Sequence, residues 1–310
     1  MKEEEVLVSV IIPNYNHARY LDERLKSVLS QTFRNFEIII LDDCSTDDSM
    51  KVISAYKDDP RISNIIVNEH NSGMPFKQWL KGIQLAKGKI IWIAESDDTC
   101  EPNFLETMVE TITTHENCVV AFCKMIAFKD EGEKWTKTPS NLEEKLYNSK
   151  EFLSEFLSWR NAIVNASGTV FKKGTAIKIA PTFTKSKGVG DWMFWTEMAE
   201  CGDVAYVDKA LSYFRQHGNN LTKKNVADGT IVHDRKTILD YIYEKGFIDN
   251  KEYNKRKETA IRRDVLNIPD KQMRKSVFKY WEPNWCKRCY IMLKVYSNQI
   301  LWIIKSNLNL

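Results

Sequence analysis

Through the first 130 residues, short apolar runs rich in Val and Ile alternate with longer stretches whose apolar positions recur every three or four residues. LVSVIIP, FEIIILDD, NIIVNEH, KIIWIAE and CVVAFCKMIAF are dense, bounded by polar or turn residues, and read as buried strands. Between them lie ARYLDERLKSVLSQ, SMKVISAYK, PFKQWLKGIQLAK and PNFLETMVETITTH. Leu21, Leu25, Val28 and Leu29 share one helical stripe, and Phe104, Met108, Val109 and Ile112 another. Strands alternating with helices of this length predict right-handed crossovers, hence an α/β fold with a mostly parallel central sheet and helices on both faces.

Ligands of such sheets bind beyond the carboxyl ends of the strands, which makes the residues ending each apolar run the first candidates. They are Pro13 to Asn16, Asp42 to Ser45, His70 to Gly73, and Glu95 to Asp98. The last group, in KIIWIAESDDT, puts Glu95, Asp97 and Asp98 within four positions. Clustered carboxylates repel one another, so a strand that carries them to its tip calls for a cation there. Local roles compete with that reading. Ser45 or Thr46 followed by Asp48 or Ser49 resembles a helix start, Asn71-Ser72-Gly73 is turn chemistry, and ESDD stands where it would cap a helix following Pro102.

Two phosphate cradles are excluded. No GxGxxG follows the first strand, and Gly188-Val189-Gly190 lacks the third glycine. Gly82 to Gly88 has five intervening residues, and Ile90 follows Lys89 where a P-loop needs Ser or Thr. A divalent metal on the acid cluster is the remaining way to neutralise a diphosphate.

VSVIIPNYN, SVLSQTFRNFEIIILDDCSTDDS, the NSG turn and GKIIWIAESDDTCEPNFL together resemble the inverting nucleotide-sugar glycosyltransferases of family 2, with the GT-A fold, that build bacterial surface polysaccharides. The resemblance covers about 130 residues and implies a nucleotide-sugar donor, of the UDP-sugar type, and a hydroxyl of a glycan or lipid-linked acceptor. It also implies roles: Pro13 and Tyr15 line the base pocket, and Asp43 or its neighbour Asp42 accepts a hydrogen bond from the base. Asp97 lies against the ribose or the metal, and Asp98 coordinates Mn²⁺ or Mg²⁺. Glu95 stands where many members carry Asp.

The second half supplies the acceptor side. In KGVGDWMFWTEMAECGDVAYVD, glycines precede Asp191, and Trp192, Trp195, Met198 and Ala199 follow as a helical stripe, so Asp191 sits at a helix start. It is either an N-cap or, as the resemblance implies, the general base. AYVDKALSYFRQHGNN ends in Arg215 and His217, similar to a YRxH segment of the family, with Arg215 a candidate diphosphate contact and His217 a candidate metal ligand or phosphate contact. NASGTVFKKG, with Ser167 and Gly168, lies where the family shapes its acceptor cleft. A sugar nucleotidyltransferase would show a glycine-rich basic loop in place of PNYNHARY, and a non-catalytic sugar-binding descendant would lose the acids.

This organisation gives a catalytic domain over 1–220, with a nucleotide half to about 130 and an acceptor half from 131, and a basic helical region over 221–310. Net charge sharpens the division, because the overall +3 is the sum of +9 beyond Asn220 and −6 before it. A basic tail of amphipathic helices suggests peripheral contact with an anionic membrane, Trp285 and Trp302 anchoring beside Lys287, Arg288 and Lys305, or else a helix covering its own domain. No nucleic-acid partner is expected. Seven cysteines without a framework, a lone Cys286–Cys289 CxxC, and a start lacking signal-peptide character lead to the expectation of a reducing cytoplasm, at the inner face of the cell membrane if the tail docks there.

Overall fold

The computed structural model describes residues 7–179, 181–186, 188–217 and 230–294. Two compact units emerge, Met1–Ser186 with Gly190–Gly218, and Lys187–Val189 with Asn219–Leu310.

The first unit opens with β1 (Val8–Asn14), α1 (Ala18–Leu29), β2 (Phe36–Asp42), α2 (Ser49–Ser54), β3 (Ile62–Val67), α3 (Pro75–Leu85) and β4 (Ile90–Ile93). It continues through β5 (Thr99–Cys100), α4 (Phe104–Thr114), β6 (Cys118–Phe128), β7 (Lys134–Thr136), β8 (Lys145–Tyr147) and α5 (Ser149–Phe152). β9 (Thr169–Lys172), α6 (Lys173–Ala176), α7 (Gly190–Glu200) and β10 (Asp203–Arg215) complete it. One ten-stranded sheet runs β3-β2-β1-β4-β9-β6-β10-β5, with β7 beside β6 and β8 beside β10. The longer pairings, β1 with β2 and β4, β2 with β3, and β6 with β10, are parallel. β9 enters antiparallel between β4 and β6, and β5, β7 and β8 add short antiparallel ribbons.

β1, β2 and β4 are buried along their whole length, which is why they read as unbroken apolar runs. NIIVNEH differs from the buried strand expected of it. β3 is an edge strand, half-buried and in part exposed, because it has a neighbour on one side only. α1 turns Leu21, Leu25 and Val28 inward and α4 turns Phe104, Met108, Val109 and Ile112 inward, both onto the sheet. The four-residue stripe expected of α7 is wider in the fold. Every residue from Trp192 to Ala199 is buried, so the helix is enclosed on all sides.

The second unit contains α8 (Thr230–Glu244), α9 (Asn250–Arg263), α10 (Lys271–Trp281) and a further helix, α11, over 285–294. Asp249 and Asp270 cap α9 and α10 by accepting from the backbone N–H of Glu252 (2.7 Å) and Met273 (2.6 Å). Ile238, Leu239, Ile242, Ile261, Val277 and Trp281 form its interior, and Trp281 Nε1 donates to the Val232 carbonyl at 2.9 Å. Among the described residues no helix is long and apolar enough to cross a membrane. The anchoring roles expected of Trp302 and Lys305 lie outside the described residues.

Candidate active site

The carboxyl ends of β1 and β2 are tied together by polar side chains. Asp42, fully buried, accepts from Asn14 Nδ2 (2.7 Å), from the Ser45 N–H (2.8 Å) and from Ser45 Oγ (2.6 Å). Asn16 and Cys44, just beyond the two strands, hold φ of 54° and 65°, a left-handed conformation uncommon for residues with a side chain. The Asn16 N–H donates to Ser45 Oγ at 2.9 Å and the Thr46 N–H to Asn16 Oδ1 at 2.7 Å, which locks both tips. Asp43 turns the other way. It accepts from Asn68 Nδ2 (2.7 Å), Gln78 Nε2 (2.8 Å), and the N–H (2.9 Å) and hydroxyl (2.7 Å) of Ser72, so it ties β2 to the NSG turn. Pro13 is buried in β1, while Tyr15, two residues on and just past the strand, is 45% exposed. The start of α2 is served by Asp47, whose Oδ1 accepts from the Ser49 N–H at 3.0 Å.

None of the three acids after β4 caps α4, because β5 intervenes before that helix begins. They diverge instead. Asp98 faces inward at 1% exposure, accepting from Ser167 Oγ (2.7 Å), Asn165 Nδ2 (2.8 Å) and the Arg215 N–H (2.9 Å). Glu95 accepts from Trp79 Nε1 at 2.9 Å. Burial pushes Glu95 up to about 8, and the Asp97 charge adds to that, so it is mostly protonated at neutral pH. Burial and the Asp97 charge likewise raise Asp98 above the usual carboxylate range.

Asp97 goes the opposite way. Burial alone would raise it, but the hydrogen bond from His217 and the nearby imidazoles of His17 and His217 outweigh that and hold it below the ordinary range. His217 Nε2 lies 2.9 Å from Asp97 Oδ2, and His17 Nδ1 lies 2.8 Å from Ser96 Oγ. One donor atom from each of His17, Asp97 and His217 falls within 4.8 Å of the others, the one such group of three among the described residues. Burial lowers the pKa of His17, in the direction that favours the neutral imidazole a metal ion takes as a ligand. The structure therefore brings Asp97 and His217 together with His17, to which the sequence pattern assigns no role, and does not bring Asp98 into that group. A polar residue just past the first strand, in PNYNHARY, is the signal that could have found His17.

Arg215, 5% exposed, is engaged on all sides: its Nε donates to the Asp97 carbonyl at 2.8 Å, and its guanidinium pairs with Glu23 and Asp130 between the rings of Tyr20 and Phe128. Arg24, fully buried, donates from Nε to the Glu95 carbonyl at 2.8 Å and supplies a positive charge beneath the acids. No periodicity or motif marks it, since it occupies a buried position of an amphipathic helix.

Asp191 lies in the first turn of α7, half-buried, and accepts from Asn161 Nδ2 at 2.9 Å. Burial pushes it up to about 6, against the backbone N–H groups of Trp192 and Asp191 and the Asn161 amide. The preceding Gly190 is required by space: a Cβ there would fall 2.4 Å from the Phe76 ring and 2.5 Å from the Phe183 carbonyl. Trp79 links the two regions, donating to Glu95 while its ring meets Phe194 (5.9 Å) and Trp195 (6.0 Å) of α7.

Comparison with known proteins places this geometry. The profile described as glycosyl transferase family 2 matches residues 9–172. An uncharacterized glycosyltransferase of Nostoc sp. is 30% identical over 223 residues, covering 69% of this chain and 66% of its own length. Staphylococcus aureus TarS, named a poly(ribitol-phosphate) beta-N-acetylglucosaminyltransferase, is 32% identical over 116 residues, 36% of this chain and 20% of TarS. The match thus spans just under two thirds of the Nostoc relative and a fifth of TarS. Crystallised TarS 1–349 with UDP-GlcNAc superposes with a TM-score of 0.61 at 18% identity, over 85% of this chain and 82% of that one. A Pyrobaculum calidifontis mannosyltransferase with GDP-Man and Mn²⁺ gives 0.61 at 13% identity, over 96% of this chain and 81% of that one. These likenesses establish a GT-A-like fold.

Proposed function

The chain belongs to glycosyl transferase family 2, and from that premise we propose that it transfers a sugar, with inversion, from a nucleoside-diphosphate donor to a hydroxyl of a glycan or lipid-linked acceptor in cell-surface polysaccharide synthesis. The observation that carries this reading is the group of Asp97, His17 and His217 at the carboxyl end of a parallel sheet, with Asp191 held as a half-buried carboxylate. Residues 1–220 form the catalytic domain in this reading and 221–310 its helical extension.

A UDP-sugar is the favoured donor class, in line with the UDP-GlcNAc bound by the TarS neighbour. Pro13 and exposed Tyr15 take the base, with Asp43 the acceptor for its N–H, while the fully buried Asp42 fixes the tips of β1 and β2. Asp97, His17 and His217 would hold a divalent cation. Two imidazoles beside one carboxylate suit Mn²⁺ better than Mg²⁺, which prefers oxygen. Bound there, the ion supplies positive charge against the donor's diphosphate. Arg215 positions Asp97 by donating to its carbonyl, and Asp98 in turn holds Arg215 by accepting from its N–H.

Asp191 acts on the acceptor. Its carboxylate takes the proton of the attacking hydroxyl as that oxygen bonds to the anomeric carbon. The bond from that carbon to the diphosphate oxygen breaks on the opposite face, its electron pair leaving with the nucleoside diphosphate. Positioning of both substrates accounts for much of the acceleration, and base catalysis adds about 10² to 10⁴. The basic helical extension would hold the enzyme at the inner face of an anionic membrane, where a lipid-linked acceptor is presented.

Titration calorimetry against UDP- and GDP-sugars in Mn²⁺ and in EDTA tests the donor side, and NMR of the product anomer tests inversion. Binding of one nucleotide sugar in Mn²⁺ alone is expected. Absence of binding by every nucleotide sugar, in either condition, would overturn the reading.

A further inference from the structure

α11 is amphipathic the wrong way round for a helix that packs on its own protein. Trp285 is 69% exposed, Tyr290 60% and Leu293 70%, while Ile291 is the one buried residue among the helix's described residues. At about 100° per residue the three exposed side chains fall within about 140° of one another, and Ile291 faces the opposite side. The large apolar groups therefore form one outward stripe. Lys287 and Lys294 border it on one side and Arg288 on the other.

Next to the stripe, α9 and α11 enclose a cleft of about 740 Å³. Lys251, Lys255, Arg262, Arg263 and Lys294 line it, with Glu258 the single acid. Glu258 is shared between Arg262 and Lys294, the latter at 3.1 Å, and Arg263 pairs with Asp264 at 2.9 Å, so the five cations outnumber the two acids that meet them and the cleft carries a net positive charge. The buried Nε of Arg262 has no hydrogen-bond partner among the described residues. The sequence that follows, residues 295–310, contains Lys305 and no Asp or Glu, and so offers no side-chain countercharge.

We propose that α11 and the adjoining face of α9 are a dock for an anionic phospholipid bilayer, the Trp285–Tyr290–Leu293 stripe entering the interface and the cationic cleft taking phosphate headgroups. A soluble phosphate would need only the cations. The exposed aromatic and leucine side chains beside them match the boundary between headgroup and acyl chain, where Trp and Tyr rings rest and Lys and Arg reach phosphate. Arg and Lys together suit phosphate, which accepts several charge-assisted hydrogen bonds. The dock rests on the membrane placement proposed above and not on sugar transfer.

The test is sedimentation of the full chain with phosphatidylcholine vesicles, with and without phosphatidylglycerol, across a salt series. Binding to the acidic vesicles alone, weakening as salt rises, is expected. Each Lys or Arg near such a surface is worth about fivefold in partition, so Lys251→Glu with Lys255→Glu should lower it by at least about tenfold. Trp285→Ser with Leu293→Ser should also lower it, without altering its salt dependence. An intact protein that ignores both vesicles, or binds them equally, overturns the dock. So does pyrophosphate binding that Lys255→Glu removes while vesicles are ignored, which would mark a soluble-phosphate site, or light scattering that shows the stripe joining two copies of the chain. Calorimetry of the same preparations with UDP-sugar and Mn²⁺ reads the catalytic proposal separately, so either can fail alone.

Discussion

Trp195 and Trp285 both sit on helices rich in large apolar residues, yet Trp195 is 0% exposed and Trp285 is 69% exposed. α7 is enclosed by Trp79, Phe171, Phe183 and its own neighbours, and its one carboxylate at the helix start is thereby held in a poorly solvated place. α11 turns its rings to solvent and keeps its charges beside them. Apolar content alone does not say which way a helix faces. In the first unit burial serves to tune acids, and in the second the absence of burial leaves a surface for something else to cover.

The largest effect expected on the catalytic side comes from Asp191→Asn, which preserves size but cannot take a proton. Turnover should fall by about 10² or more while donor affinity holds. Wild-type rates in single-turnover assays of the purified variant would move the base elsewhere, Glu197 and Glu200 being the next acids along α7. Trp195→Ala should cost about 3–5 kcal/mol of stability, as expected for emptying a buried aromatic site, and denaturant unfolding would measure it. Gly190→Ala should cost about 1–3 kcal/mol through overpacking against Phe76 and the Phe183 carbonyl. It should also lower turnover, since the helix start carries Asp191.

The pH profile is the next smaller effect. With Asp191 raised to about 6, the active form is the carboxylate, so turnover should be flat above that pH and fall about tenfold per unit below it. Stability runs the other way for this group. A carboxyl whose pKa is raised in the folded state stabilises the fold in acid, and that contribution is lost as pH rises through about 6. A rate that stays constant down to pH 5 would remove Asp191 from the proton transfer. The smallest effect completes the contrast between the two tryptophans: Trp285→Ala should change stability by less than about 0.5 kcal/mol.

The strands, the crossovers and the polar strand ends were legible in the sequence because each depends on local apolar density and the turn residues that bound it. Asp191 was legible as a helix start because the preceding glycines break the pattern. His17 was not, because its partners lie far away along the chain, Ser96 being 79 residues on, and only the crossovers bring them together. The family resemblance puts the metal on Asp98, whereas the structure groups Asp97 with the two imidazoles. Adjacent residues leave the backbone in different directions, and which one meets His217, 120 residues beyond Asp97, is settled by where β10 ends. The buried surface of α7 exceeds its sequence stripe for a related reason. A helical stripe predicts one covered side, whereas α3, β9 and the segment Pro181–Lys185 together cover the others.

The central claim is that Asp97, His17 and His217 hold the metal that the donor needs. Electron paramagnetic resonance of Mn²⁺ titrated with the protein in the presence of UDP tests it most directly, because free Mn²⁺ gives a strong signal that binding suppresses. The account predicts that wild type suppresses the signal, that Asp97→Asn and His217→Ala each weaken binding at least about tenfold, and that His17→Ala weakens it as well. Equal suppression by wild type, Asp97→Asn and His217→Ala would contradict the account.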